Sequence, residues 1–389
     1  MRIPLIYSFR NLWTRRVTTL LTMIGVGLVV FVFVASLMLS DGLRRTLVST
    51  GSDDNVIAIR RSSQTEVQSG ISRDQANILR SMPEVETKAD GTPVVTNDVV
   101  VLISLPKRVS AAPANVVIRG VSSLALEMRP QVKLVEGRAW HTGTQEVIIG
   151  KSIQQRFEGC DVGGTMRFGS ANWTIAGVFD AGNTGFDSEV WGDADIIMPA
   201  FRRDGVFSSV TMHLRHGADF DALKTKLDAD PRLTLDFFRE KEYYANQSRT
   251  LALFISILGT LVSIVFSFGA MIGAMITMYA AVANRTTEVG TLRALGFRRR
   301  SVLSAFLLEA ILLSVLGGLL GIAASSLMQF VRVSTTNWDT FSELAFRFTL
   351  SPTIVVQGLI FAVVMGVLGG FLPAVRASRM AIVEALRTA

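Results

Sequence analysis

Cysteine is almost absent from this chain of 389 residues: Cys160 is the single thiol, so an internal disulfide is impossible. Histidine is nearly as scarce. His213 and His216 stand three residues apart and His141 lies far off, but no acidic or cysteine cluster accompanies them, which argues against a zinc site. Charged residues are 18% of the chain and hydrophobic residues 49%, too apolar for an ordinary soluble protein of this length. No G-x-x-x-x-G-K-[ST] phosphate loop occurs, so these residues do not hydrolyse ATP by that mechanism. A nucleophile–base constellation is missing too, which counts against a membrane enzyme. The net charge of +7 fits nucleic acid poorly, because many arginines border the apolar runs instead of forming one stripe.

What the chain has is four long uncharged intervals, between Arg16 and Asp41, Arg249 and Arg285, Glu309 and Arg332, and Arg347 and Arg376. Each holds the roughly 20 residues that a helix needs to cross about 30 Å of hydrocarbon. The first is too long for a signal-peptide core, has no clean small-residue cleavage site after it, and is expected to be a retained helix. The second is longer than a bilayer requires and is expected to project outward, with Tyr243, Tyr244, Asn246 and Gln247 as its lead-in. Glycines four apart (Gly269 and Gly273, Gly317 and Gly321, Gly366 and Gly370) fit close helix packing in lipid.

Orientation follows the arginines. Arg2, Arg10, Arg15 and Arg16 precede the first span, Arg285, Arg293, Arg298, Arg299 and Arg300 surround the loop after the second, and Arg376, Arg379 and Arg387 follow the fourth. The positive-inside bias places both termini in the cytoplasm. The expected map is therefore an in-plane amphipathic segment at 1–16, spans at 17–40, 249–283, 301–331 and 351–375, and an extracytoplasmic domain at 41–248. A cytoplasmic helix at 284–300, a short outer loop at 332–350 and a cytoplasmic tail at 376–389 complete it. The fold class is a membrane α-helical protein carrying a large α+β domain between helices 1 and 2.

In that domain, segments 56–60, 94–105, 116–121, 146–149, 166–168 and 173–179 read as strands separated by turn residues. Ser72 reads as the N-cap of a helix ending before Pro83. A last unit reads strand 209–214, helix 219–229, strand 234–238. Asp180, Asp187, Glu189, Asp193 and Asp195 cluster among turn residues and are expected to form a solvated loop surface, not a metal or acid–base site.

The informative intracellular segment is Asn284-Arg-Thr-Thr-Glu-Val-Gly-Thr-Leu-Arg-Ala-Leu-Gly296. Its spacing predicts a short helix with Val289, Leu292 and Leu295 on one apolar face, Arg285, Glu288 and Arg293 elsewhere, and Gly296 at its C-cap. A basic inner loop would need charge but not this regularity; an amphipathic helix can lay its stripe against a partner groove. Glu309, inside the third span, is either a structural acid bonded within the bundle or a switch contact to Arg285 or Arg10.

The segment resembles the E-R-T-x-E-I-G-x-L-R-A-L-G coupling motif of the MacB/FtsX-type (type VII) permeases of ABC transporters, with Asn284 for Glu and Val289 for Ile. Phe306-Leu-Leu-Glu-Ala310 and Gly317-Gly318-x-x-Gly321 are similar to that family's third helix. Leu372 to Arg387 is similar to its P-A-x-x-A-x-x-x-x-P-x-x-A-L-R ending, with Ala381 in place of the proline. Glu146–Gly150, Thr174–Phe179 and Phe186–Trp191 resemble its periplasmic domain. The resemblance implies a bacterial inner-membrane permease whose Arg285, Thr286, Glu288, Val289, Gly290, Leu292, Arg293, Leu295 and Gly296 dock on an ABC ATPase. It implies two ATPase copies carrying the ATP and magnesium, a second permease copy or homologue, and relay of ATP-driven closure along the first two helices. A periplasmic adaptor and outer-membrane duct often complete such assemblies, and membrane lipids surround them. Cargo would be a lipid, lipoprotein, peptide or hydrophobic compound exported or extracted at the outer leaflet. The alternative is an FtsX-like signalling component that activates a cell-wall hydrolase or sensor; the size of the external domain favours transport.

Overall fold

A computed structural model describes residues 16–380. The N-terminal amphipathic segment, Arg10 and the end of the tail beyond Met380 lie outside the described residues. The described residues divide into two compact units, one formed by 16–41, 253–331 and 348–380, the other by 42–252 and 332–347.

The first unit is helical. Four helices are long and apolar enough to cross a membrane: α1 (Arg16–Val48), α2 (Glu240–Ala283), α4 (Arg299–Ser326) and α5 (Pro352–Arg379), with the short α3 (Thr286–Ala294) between the second and third. Helix α2 begins at Glu240, inside the stretch assigned to the external domain, and its 44 residues extend about 66 Å at 1.5 Å per residue. Helix α1 likewise runs through Asp41 to Val48. No proline or glycine run interrupts either passage, so the helix continues where hydrophobicity stops. Helix α5 starts on a Ser351 N-cap with Pro352 in its first turn and carries Pro373 within it.

Close packing of α1 on α4 depends on glycine. A Cβ on Gly321 would lie 2.4 Å from the Gly27 carbonyl oxygen, and one on Gly317 2.7 Å from that of Met23. The α4–α5 pair is as tight, a Cβ on Gly370 falling 2.3 Å from that of Ala310. Gly269 and Gly273 differ: a Cβ there meets nothing within 4 Å. They line an apolar groove of about 580 Å³ between α1 and α2, together with Gly25, Leu28, Phe266 and Thr277.

The second unit is built on a ten-stranded mixed sheet. Its order is Leu235–Arg239, Asn55–Arg60, Ser209–His213, Val95–Pro106, Pro113–Val121, Glu189–Asp193, Glu146–Gly150, Ala171–Asp180 and Lys133–Gly137, with Thr165–Phe168 also on Ala171–Asp180. The 12-residue strand Val95–Pro106 joins two halves: Val95 to Asp98 pair with Ser209–Met212, and Val99 onward pairs with Pro113–Gly120. A core of Val, Ile, Phe and Trp, including the fully buried Trp173, packs against it. Ser72 caps its helix through a capping box with Gln75, and Asp219 caps Phe220–Asp228.

Two stretches depart from the sequence reading. The short outer loop holds a hairpin, Arg332–Thr336 with Glu343–Arg347, that belongs to the second unit, where the Ala345 amide donates to Ser188 Oγ. The acidic cluster is not a solvated loop surface. Glu189–Asp193 is a fully buried central strand, and four of the five acids use their carboxylates within the fold, while Asp195 is exposed. Asp187 accepts the Ala181 and Asn183 amides, Glu189 pairs with Arg119, Asp193 caps the next helix through the Asp195 amide, and Asp180 accepts from Lys151 Nζ. Burial still pushes the Asp187 carboxyl up, against the pull of those two amides. Turn-rich neighbours hid a strand because its charges are satisfied inside the fold. Among the described residues no cluster of three His, Cys, Asp or Glu is arranged to hold a metal.

Candidate coupling site

Helix α3 is short because both ends are defined. Arg285 occupies its N-cap position, and Leu295 ends it in a near-helical conformation followed by Gly296 at φ +88°. The Gly296 amide donates to the Arg293 carbonyl (3.1 Å) and the Phe297 amide to that of Leu292 (3.2 Å). This is the Schellman pattern, and its left-handed residue is comfortable only without a Cβ.

The expected apolar face is divided. Val289 is 2% exposed and packs into a cluster with Met278, Val282, Val302, Phe306, Ala310 and Ala377. Gly290 is buried beside it and Leu292 is half-buried, whereas Leu295 is 69% exposed. Val289 and Leu295 therefore do not share one outward stripe: the first anchors α3 to its own bundle, and the second faces away. The outward face is Glu288, Thr291 and Leu295, spaced three and four apart. Thr286 is half-buried, its hydroxyl donating to the Ala283 carbonyl at 2.7 Å, and Arg293 is half-buried too.

Arg285 turns inward. Its Nη1 donates to Glu309 Oε2 at 2.9 Å, and both side chains are buried. Arg285, one of the partners expected for Glu309, is in contact with it, so a costly intramembrane charge is compensated; Arg10 lies outside the described residues. The companion contact, Arg376 lying 5.6 Å over the Tyr279 ring, was not legible beforehand, because the two residues are nearly a hundred positions apart. Arg285, Val289 and Gly290 thus fix α3, while Glu288, Thr291, Leu295 and Gly296 are presented outward.

A family model described as the MacB-like periplasmic core domain matches residues 19–230, and one described as the FtsX-like permease C-terminal matches 251–382. The macrolide export ATP-binding/permease protein MacB of Shewanella sp. (strain W3-18-1) is 25% identical over 96% of this chain and 58% of its own length. MacB of Escherichia coli (strain K12) is 33% identical over 46% of this chain and 27% of its own. The crystal structure of the periplasmic region of MacB from Actinobacillus actinomycetemcomitans superposes with a TM-score of 0.38 at 14% identity, covering 50% of this chain and 92% of that one. The chain spans only 58% of the length of the Shewanella relative, in its permease part. With two family models in tandem across four apolar helices and the domain between the first two, this chain belongs to the MacB/FtsX-type permease family of ABC transporters.

Proposed function

We propose that this permease converts ATP hydrolysis on a separate nucleotide-binding subunit into movement of its external domain. In this reading it sits in the inner membrane with both termini in the cytoplasm. The observation that carries it is the construction of α3: a helix pinned inward by Val289 and the Arg285–Glu309 pair, yet offering Glu288, Thr291 and exposed Leu295 outward. A helix that only linked two spans would not need an exposed leucine beside a buried ion pair. A partner pressing on that face would move α3, and through its buried anchors α4 and the end of α2. The continuous helices α1 and α2 supply the path outward. Two ATPase copies, bearing ATP and magnesium, and a second permease copy would complete the machine; cargo would be an apolar molecule or lipid-bearing substrate, passed on to a periplasmic adaptor and outer-membrane duct.

Leu295→Asp tests the reading. The variant should insert and melt like wild type, because position 295 is exposed, and lose co-purification with a co-expressed cognate ABC ATPase. Full retention of ATPase binding and stimulated hydrolysis by Leu295→Asp would sink the assignment. Val289→Asp is the contrasting control, which should destabilise the bundle itself.

A further inference from the structure

The root of α2 enters the external domain beside a buried electrostatic network. Arg119, on the strand Pro113–Val121, meets Glu66 through Nη1–Oε1 at 2.7 Å and Nη2–Oε2 at 3.0 Å, and Glu189 through Nε–Oε2 at 2.7 Å and Nη2–Oε1 at 3.0 Å. Its Nη1 also reaches Asp98 Oδ2 at 3.2 Å. Arg129 donates to the same Asp98 oxygen at 2.9 Å and, through Nε, to Glu240 Oε1 at 3.3 Å. Glu240 is the first residue of α2, and its other oxygen accepts from Asn55 Nδ2 (2.8 Å) and the Ser52 amide (3.1 Å).

The next turn of α2 adds two phenols. The Glu66 amide donates to Tyr243 Oη at 3.0 Å, and Tyr244 Oη donates to Glu66 Oε2 at 3.4 Å. Both guanidiniums lie over the Phe186 ring, which stands edge-on to Tyr244 at 5.8 Å. Every one of these charged groups is buried, and four carboxylates face two guanidiniums. Such an assembly is a poor way to gain stability, since apolar residues of the same volume would serve as well or better. What it does supply is direction: bidentate forks accept one geometry, and a sliding helix would strand buried charge.

We infer that Arg119 and Arg129 are positioning residues which clamp the first two turns of α2, through Glu240, Tyr243 and Tyr244, onto the sheet of the external domain. Displacement of α2 then carries the domain with it in place of bending the helix at its root. The purpose assigned to the clamp rests on the transmission reading above; the clamp itself stands on contacts within the domain.

The test is hydrogen exchange on the full chain in lipid nanodiscs, without any ATPase. Glu240→Gln keeps the shape and removes the helix's own charge. Amides 244–248 should exchange about tenfold faster than in wild type, while those of Pro113–Val121 stay within about twofold. Tyr244→Phe, which keeps the ring and loses only the hydroxyl, should accelerate the same amides by about threefold and serves if Glu240→Gln does not fold. Unchanged exchange at 244–248 in whichever variant folds, or equal acceleration in the strand, would overturn the clamp. Failure of Leu295→Asp to release the ATPase would instead overturn the transmission reading and leave the exchange result standing.

Discussion

Arg285 and Glu309 form a buried ion pair, Nη1 to Oε2 at 2.9 Å, between the start of the short helix and a point ten residues into the third apolar helix. Neither charge has an independent reason to be there. The arginine closely follows the second apolar helix, where charge pattern alone would have it face water; the glutamate interrupts an otherwise apolar stretch. Each makes the other tolerable, so the pair fixes where α3 leaves the bundle.

Removing one member should therefore cost far more than removing both. Arg285→Leu or Glu309→Leu alone should lower stability by about 3–5 kcal/mol, and the double variant should recover most of that loss. Thermal unfolding of the three variants in nanodiscs gives the cycle. Additive losses would mean that the residues act separately.

The three glycine pairs, identical in spacing, should respond differently. Gly321→Ala places a methyl 2.4 Å from a backbone oxygen on α1, which cannot retreat alone, and should destabilise by about 1–3 kcal/mol. Gly273→Ala meets open space and should stay within about 0.5 kcal/mol of wild type. The same melts decide it; a large loss at Gly273 would show that its groove is filled in the working protein.

That contrast shows where sequence reading stops. Hydrophobic runs carried the four helices, and period-two segments and caps such as Ser72 carried most of the external domain, because those signals are local. The division between Val289 and Leu295 was not legible, since helical spacing marks an apolar face without saying whether the chain's own bundle or a partner covers each residue. Nor were Arg119, Arg129 and Glu189, whose burial depends on charges 21 to 111 positions away in sequence. A sequence displays a charge; only the fold displays its counter-charge.

Acid should loosen the external domain through Glu66. Burial alone would raise its carboxyl, but the Arg119 guanidinium, with Ser209 and Arg129, holds it below the usual 4.5. A carboxylate whose folded pKa is depressed contributes stability that is complete above its unfolded value and is lost as pH falls through the folded one. Near-ultraviolet circular dichroism of the full chain should therefore report loss of domain packing as pH drops below 4.5, and Glu66→Gln should flatten that part of the curve. An unchanged acid transition in Glu66→Gln would assign the effect to other carboxylates.

The cap of α3 should obey backbone preference in a graded way. Gly296 is at φ +88°, and a Cβ there would touch nothing, so any penalty is conformational and not steric against neighbours. Asparagine tolerates the left-handed region, alanine pays about 1 kcal/mol relative to glycine, and a β-branched valine pays more. Local opening of the Schellman turn should rise in that order, read as amide exchange at 295–297 with exchange in the external domain unchanged. If α3 is the face gripped by an ATPase, binding should weaken in the same order, because Leu295 is held in place by the turn that follows it. Equal exchange in the asparagine, alanine and valine variants would show that the left-handed turn does not hold the end of this helix.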